Sequence, residues 1–241
     1  MFGRTSRRDS DWPAHILSIS ILSNTGGSTS GAGTYYQGSI ASISATPNFG
    51  YSFDEWIGDG VSDSNAPSTS VDMTEARTVT ASFSLNSYDL TLLAGNGGSV
   101  SGSGSFTHGS NPSISATPDT GYSFAGWSGE GVNDLNAPST SVDMTEARTV
   151  AASFSLNSYD LTLLAGNGGS VSGNGSFTHG SNPSISATPD TGYSFAGWSG
   201  EGVNDPNAPS TSVDMTEART CLLYTSPSPR DLSTSRMPSS A

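Results

Sequence analysis

One short segment recurs along this chain and constrains its fold more than any other feature. The eleven residues 121–131 return unchanged at 192–202 and in altered form at 50–60, and each copy has a tryptophan in its middle. Successive tryptophans stand 71 residues apart, at positions 56, 127 and 198. Self-similarity at a fixed period is typical of tandem-repeat proteins. The 241 residues are therefore expected to form three small units of about 71 residues rather than one large domain.

The hydrophobic pattern inside each unit predicts an all-β fold. In repeat two, apolar and polar residues alternate at 88–92, 113–116, 141–144 and 150–154, which is the period of half-buried strands. The last two segments, separated by a short turn, predict a β-hairpin. Residues 100–106 predict a weak, glycine-rich strand. No apolar i, i+3, i+4 pattern persists for ten residues, so a long helix is excluded.

The period also predicts the domain boundaries. Residues 1–13 are expected to be an unstructured tail, followed by repeat one (14–85), repeat two (86–156) and repeat three (157–220). An alignment without gaps places Leu17 on Tyr88 and Ile19 on Leu90. Repeats two and three are nearly identical, differing at Ser103/Asn174 and Leu135/Pro206 over 88–149 and 159–220, which indicates recent duplication.

The period fails after Thr220. Valine is expected at position 221, but the chain continues with Cys221 and a serine- and proline-rich tail that resembles a translated sequencing-library adaptor. Residues 221–241 are therefore expected to be non-native and disordered, which would leave repeat three without its last strand and its sheet with an unpaired edge.

A small domain without disulfides depends strongly on its few large apolar residues. Trp127 is expected to be the largest contributor to the core of repeat two, and Gly126 is expected to form a β-bulge that lets the indole turn inward. In repeat one, Asp54 and Glu55 replace the alanine and glycine, so its bulge is expected to differ. The other predicted core residues are Leu90, Leu92, Val100, Phe106, Ile114, Tyr122, Phe124, Val142, Met144, Val150 and Phe154.

The charge balance argues against several kinds of partner. The chain has no lysine, its net charge is −13, and each repeat contains one arginine against six carboxylates. Such a surface repels phosphate backbones, so nucleic acid is not an expected partner. No apolar run approaches the roughly 20 residues of a membrane span, so membrane insertion is not expected either. With Cys221 as the only cysteine, a disulfide framework is excluded.

Three groups of residues have both a functional and a structural interpretation. Tyr122, Phe124 and Trp127 could form a sugar-stacking platform, but core packing is favoured because a small domain needs its large aromatics inside. His108 and His179, with no second ligand at metal spacing, are expected to be solvated loop residues. Oxygen-rich loops suit calcium but lack a known calcium spacing, so ordinary turn chemistry is favoured; their residues are Glu130, Asn133, Asp134 and Asn136 with the equivalents Asp59, Asp63, Asn65, Glu201, Asn204, Asp205 and Asn207.

No catalytic site is predicted. None of the serines stands in a nucleophile-elbow context, and no histidine–carboxylate constellation recurs within a repeat. Carboxylate pairs such as Asp143 and Glu146 flank a turn, where a capping role explains them. No catalytic, cofactor-binding or metal-binding residue is therefore assigned, and no cofactor is expected.

The ordered motifs of the unit resemble a known family. Tyr-x-Leu-Thr-Leu, Gly-Gly-Ser-Val, Ile-Ser-Ala-Thr-Pro, Gly-Tyr-Ser-Phe-Ala-Gly-Trp-Ser-Gly and Val-x-Ala-Ser-Phe occur in the order of divergent InlB B-type repeats of bacterial surface and secreted proteins. The resemblance covers about residues 15–220. It implies a compact β-rich module related to the β-grasp fold, without catalytic residues.

Together these observations predict a non-enzymatic, monomeric repeat region of a bacterial extracellular or cell-surface protein, acting as a stalk or as an adhesive array for a glycan or a host or cell-surface protein. Two alternatives stay open. The repeats could be an accessory carbohydrate-binding or spacer segment of a larger secreted enzyme, or a calcium-stiffened rod. An exposed tryptophan quenched by glycan would favour the first alternative, and calcium-dependent melting would favour the second.

Overall fold

A computed structural model describes residues 12–22 and 25–228, and within these residues the chain is all β. It forms 21 strands and no helix there, which confirms the predicted fold class. A helix capable of crossing a membrane is accordingly not found in this part of the chain.

Each repeat contributes seven strands. Repeat one contains β1 (Ala14–Ile21), β2 (Gly27–Ser30), β3 (Gly33–Tyr36), β4 (Ile40–Pro47), β5 (Tyr51–Ile57), β6 (Ser68–Asp72) and β7 (Arg77–Leu85). Repeat two contains β8 (Ser87–Ala94), β9 (Gly98–Ser101), β10 (Gly104–Thr107), β11 (Ser113–Pro118), β12 (Tyr122–Ser128), β13 (Ser139–Ser141) and β14 (Arg148–Leu156). Repeat three contains β15 (Ser158–Ala165), β16 (Gly169–Ser172), β17 (Gly175–Thr178), β18 (Ser184–Pro189), β19 (Tyr193–Ser199), β20 (Ser210–Ser212) and β21 (Arg219–Pro227).

The seven strands form two sheets. In repeat one, a mixed four-stranded sheet has the order β3-β1-β7-β5, and a three-stranded antiparallel sheet has the order β2-β4-β6. The first and last strands, β1 and β7, run parallel at the centre of the larger sheet. Repeats two and three have the same arrangement. Any likeness to the β-grasp fold is limited to this mixed sheet, because the described residues contain no helix.

The core of each repeat is one cluster of buried side chains. In repeat two the buried members are Leu90, Ile114, Ala116, Trp127, Val142, Met144, Val150 and Ala152. Six of these were predicted; the two alanines were not, because small residues give little periodic signal. Partly buried around them are the predicted Leu92, Val100, Phe106, Phe124 and Phe154. Tyr122 lies outside this cluster, and its ring instead lies over Gly97.

Two local predictions about strands are wrong. Residues 141–144 and 150–154 do not form a hairpin, because β13 pairs with β11 in the small sheet while β14 pairs with β8 and β12 in the large one. The single strand expected at 100–106 is divided into β9 and β10, which belong to different sheets. Gly102, with φ +115°, lies at the crossing, where a β-carbon would meet the carbonyl oxygen of Ser113 at 2.5 Å.

The predicted β-bulge is confirmed in all three repeats. The pairing of β12 with β14 shifts register between Phe124 and Gly126, and Trp127 resumes the ladder opposite Ala152. Repeat one shifts at the same place, between Phe53 and Glu55, so the expectation that its bulge would differ is wrong. The bulge leaves one residue of the strand unpaired, which shifts the inward and outward alternation by one position. The tryptophan that follows therefore points into the core.

The first strand of repeat one has a different alignment from the one expected. Leu17 pairs with Arg77, and Leu90 pairs with the equivalent Arg148, so Leu17 corresponds to Leu90 rather than to Tyr88. Both leucines are buried. Repeat one therefore has two more residues than repeat two in the turn after its first strand.

Repeat three does not lack its last strand, which corrects the prediction made from the break in the period. β21 extends to Pro227, runs parallel to β15 and pairs with β19. Cys221 and Leu223 are buried where Val150 and Ala152 stand in repeat two. Backbone pairing does not depend on side-chain identity, and the apolar residues at 221 and 223 happen to satisfy the inward alternation. Residues 1–11 and 229–241, including most of both predicted tails, lie outside the described residues.

Candidate functional site

Hydrogen bonds from both the backbone and a side chain connect successive repeats at each boundary. One residue, Asn86, separates the last strand of repeat one from the first strand of repeat two, and Asn157 separates repeats two and three in the same way. A linker of one residue leaves almost no freedom to the chain itself. The geometry of the boundary is therefore set by what these asparagines bind.

Asn86 uses its backbone and its side chain at the same time. Its N–H donates to the carbonyl of Gly50 at 2.8 Å, and its own carbonyl accepts from the N–H of His108 at 2.8 Å. The side-chain oxygen accepts from the hydroxyl of Ser52 at 2.6 Å, and the side-chain nitrogen donates to the hydroxyl of Tyr88 at 3.4 Å. These bonds join residues of repeat one to residues of repeat two through a single side chain.

The second boundary repeats these bonds. Asn157 donates to the carbonyl of Gly121 and accepts from the N–H of His179, both at 2.8 Å. Its side chain accepts from Ser123 and donates to the Tyr159 hydroxyl at 3.5 Å. An arrangement found at both boundaries is a property of the repeat, not of one local contact.

The histidines that were expected to be solvated loop residues lie in these boundaries. His108 packs against the preceding repeat, since its ring lies 4.7 Å from Phe49 and a β-carbon on Gly50 would overlap its imidazole. Within its own repeat, the ring lies 6.0 Å from Tyr88. His179 lies over Gly121 and 6.0 Å from Tyr159 in the same way. The prediction is wrong because the turn that contains each histidine is covered by the neighbouring repeat.

The sequence itself contains a signal for this boundary. Position 37 of repeat one corresponds to His108 and His179 but holds glutamine. Gln37 has no neighbouring repeat before it in the described residues, so the histidine occurs where a boundary is formed. A comparison of position 37 in the first repeat with positions 108 and 179 in the later repeats identifies the boundary histidines.

The oxygen-rich loops adopt the turn chemistry that was favoured over calcium. The Asp134 side chain accepts from the backbone N–H of Asn136 at 2.9 Å, and Asp63 and Asp205 make the same bond to Asn65 and Asn207. Asn133 donates its side-chain N–H to the Ser141 hydroxyl at 2.6 Å. In residues 12–22 and 25–228, no three histidine, cysteine or acidic side chains converge in a way that could hold a metal ion.

The single arginine of each repeat is engaged in the structure. The Arg148 side chain is 11 % exposed, lies 3.3 Å from Glu146, and donates to the carbonyl of Asp143 at 2.7 Å and to the hydroxyl of Thr145 at 2.9 Å. Arg77 and Arg219 make comparable ion pairs with Glu75 and Glu217. These cations therefore hold the turn before the last strand and are not free to bind an anion.

The aromatic motif forms part of the core. Trp127 is 5 % exposed, and its indole N–H donates to the carbonyl of Ala137 at 3.0 Å. Trp56 and Trp198 are equally buried. The alternative of a stacking platform at Trp127 is therefore excluded by its burial, whereas Trp12 is 54 % exposed.

The comparison with protein families agrees with this architecture. The sequence matches the family described as "Divergent InlB B-repeat domain" over residues 17–87, 88–158 and 159–223, which includes most of the chain. The chain belongs to this family. Repeats of the InlB type are generally found in bacterial surface or secreted proteins, and the chain is a repeat region of a bacterial protein.

Comparisons beyond the family add little. A solved structure titled "The Bacillus anthracis TIE protein" is similar with a TM-score of 0.41 and 9 % sequence identity. The match covers 87 % of this chain and 49 % of that one, so the chain spans about half of its length. A search of curated proteins finds no match.

In residues 12–22 and 25–228, no histidine side chain hydrogen-bonds to a serine or a carboxylate, although such a pair is the usual mark of an activated nucleophile. Cys221 is the one thiol, and it is buried in the core of repeat three. Its burial raises the pKa of the thiol, and the nearby Arg219 offsets part of that rise.

Proposed function

We propose that these three InlB-type repeats are a stiff, non-catalytic spacer, or stalk, within a bacterial surface or secreted protein. The boundary between repeats supports this proposal above all other observations. Each boundary consists of one asparagine whose backbone and side chain both bond across it, and a histidine ring that packs on the preceding repeat.

The physical basis of the stiffness is the number of restraints on a very short connection. A flexible linker of several residues would let neighbouring domains reorient freely. Here a bend at Asn86 would break its bonds to Gly50 and Ser52 and separate the ring of His108 from Phe49. A repeat array with such boundaries resists bending and holds whatever lies beyond it at a defined distance.

A non-catalytic role agrees with the chemistry of the surface. The open cavities over the small sheets of repeats one and two are lined mainly by serine and threonine hydroxyls, without a base beside them. The isolated hydroxyl is a weak nucleophile without such a base. An adhesive role would use the same stiffness, because equally spaced weak sites for a glycan or a cell-surface protein add through multivalency.

Rotational diffusion tests the proposal directly. We expect ¹⁵N relaxation of the full chain to show one anisotropic tumbling tensor common to the three repeats, and the chain to behave as a monomer in sedimentation. A matched variant with four flexible glycine and serine residues inserted after Asn86 should release repeat one to tumble independently. Independent tumbling of the repeats in the unmodified chain would disprove a stiff spacer.

A further inference from the structure

The end of repeat one that faces away from repeat two contains an open cavity of about 590 Å³. Its lining residues are Trp12, Tyr36, Gln37, Gly38 and Ser39. Trp12 is 54 % exposed and Tyr36 is 55 % exposed. Exposed aromatic side chains clustered at one cavity indicate a binding site more than a solvated end.

The strand register brings Trp12 and Tyr36 to the same face of the sheet edge. Tyr36 lies opposite Ala14 in the antiparallel pair of β1 and β3. The N–H of Gln37 then donates to the carbonyl of Pro13 at 2.8 Å, so the pairing continues one step further. Trp12 is therefore the diagonal neighbour of Tyr36 on the same face, at a separation of roughly 7–8 Å. Two rings at this spacing form a platform about as wide as a disaccharide.

Polar groups lie at the edge of this platform. None of the described residues bonds to the side-chain amide of Gln37, so both its donor and its acceptor are available. The Ser39 hydroxyl donates to the carbonyl of Tyr36 at 2.7 Å, which leaves its lone pairs free to accept. Sugar rings present apolar C–H faces together with hydroxyl edges, and this combination of aromatic, amide and hydroxyl groups matches both.

The same end of the later repeats has a different composition. Leu85 at the end of β7, and Thr107 and His108 of repeat two, stand at the positions that correspond to Trp12, Tyr36 and Gln37. There the turn is covered by the preceding repeat, as the contact of His108 with Phe49 shows. Trp12 and Tyr36 are aromatic and larger than Leu85 and Thr107 at the corresponding positions.

The charge distribution selects a neutral ligand. Among the described residues, no charged side chain lines the cavity, and the chain as a whole has a net charge of −13. The arginine of repeat one is held by Asp72, Thr74 and Glu75. An anionic polysaccharide would therefore be repelled without a compensating cation. We propose that the cavity between Trp12 and Tyr36 binds a neutral oligosaccharide, with the sugar stacked on both rings. This site does not depend on the stalk role of the array.

The indole N–H resonances of the full chain offer a direct test. Trp56, Trp127 and Trp198 are buried, so a ligand at the proposed site should shift the Trp12 resonance and leave the other three unchanged. Cellohexaose, maltohexaose and N-acetylchitohexaose serve as neutral probes, and hexagalacturonate serves as the anionic control. We expect saturable shifts with at least one neutral probe and none with hexagalacturonate.

The later parts of the chain suggest two matched variants. Tyr36→Thr and Trp12→Leu introduce the residues found at the corresponding positions 107 and 85, and each should weaken binding by about fivefold to tenfold through loss of one stacking face. Both side chains are exposed, so unchanged melting would verify that folding is intact. The proposal is overturned if no neutral probe shifts Trp12, if hexagalacturonate binds equally well, or if the variants bind as tightly as the parent. It is also overturned if the Trp12 resonance shifts only with protein concentration, since that result would show self-association at this end.

Discussion

His108 of repeat two meets Phe49 of repeat one edge to face, with their ring centroids 4.7 Å apart. The backbone N–H of the same histidine donates to Asn86, the residue between the two repeats. His108 thus restrains both the chain connection and the side-chain packing across the boundary. The backbone bond and the close approach of the ring to a glycine recur at the next boundary, where His179 donates to Asn157 and lies over Gly121. Thr120 stands there in place of Phe49, so the contact between two aromatic rings belongs to the first boundary.

A pair of glycine substitutions isolates this coupling. Gly121 and Gly38 both have positive φ, +84° and +76°, so alanine at either should cost about 1–2 kcal/mol through backbone strain. A β-carbon at Gly121 would also overlap the imidazole of His179, whereas a β-carbon at Gly38 would have nothing within 4 Å. We expect Gly121→Ala to lower the urea midpoint more than Gly38→Ala and to shift the His179 resonances. Equal effects of the two variants would show that the histidine contact contributes nothing.

The side chain of the boundary asparagine provides a second prediction. Asn157→Ala removes its bonds to Ser123 and Tyr159 but retains both backbone bonds. We expect a loss of about 1–2 kcal/mol in stability and greater independence of repeat three in ¹⁵N relaxation. The exposed turn residue Asn96 is the control, because Asn96→Ala should change neither quantity. If the three repeats of the Asn157→Ala chain still tumbled as one body, the backbone bonds alone would account for the stiffness.

The buried tryptophan should dominate the stability of its repeat. Trp127→Ala is expected to cost about 3–5 kcal/mol, a large part of the margin of a domain of this size. In calorimetry of the full chain, we expect repeat two to lose its folded transition while the other repeats still melt cooperatively. Trp12→Ala, which truncates an exposed indole, is the control and should leave melting unchanged. A native-like transition of repeat two in Trp127→Ala would contradict this prediction.

The buried thiol of repeat three predicts a dependence of stability on pH. Burial raises the pKa of Cys221, so the folded state retains the thiol proton to higher pH than the unfolded state does. The stabilisation that this difference in pKa gives to the folded state is fully present below the pKa of the unfolded thiol. It is lost as pH rises through the pKa of the folded thiol. Under reducing conditions, the urea midpoint of repeat three should therefore fall at alkaline pH.

Cys221→Val introduces the residue that repeats one and two have at this position and removes the titration. The variant should lose less stability between neutral and alkaline pH than the parent chain. An identical alkaline loss in the two proteins would show that the thiol stays protonated or becomes solvated without cost.

Much of the candidate site was inaccessible to sequence reasoning because it depends on neighbouring repeats. Trp127 could be assigned to the core from its place in a strand pattern and from the small size of the domain. His108 could not be placed from its own turn, since the residues that cover it, Phe49 and Gly50, belong to another repeat. Trp12 lay before the first recognised strand, so its diagonal relation to Tyr36 required the register of β1 and β3.

The sequence by itself determined the number of repeats, their β class, the bulge before each tryptophan and the family, because periodicity and alternation are local properties of the chain. The tertiary structure decided which strands share a sheet. β13 and β14 lie in different sheets, and Cys221 and Leu223 lie in a strand that completes repeat three. Neither result follows from the local pattern, because strands of similar pattern can pair with several partners that are distant in sequence. The tertiary structure also decided that the repeats meet through Asn86 and Asn157, because a boundary is defined by contacts between units and not by the pattern within one.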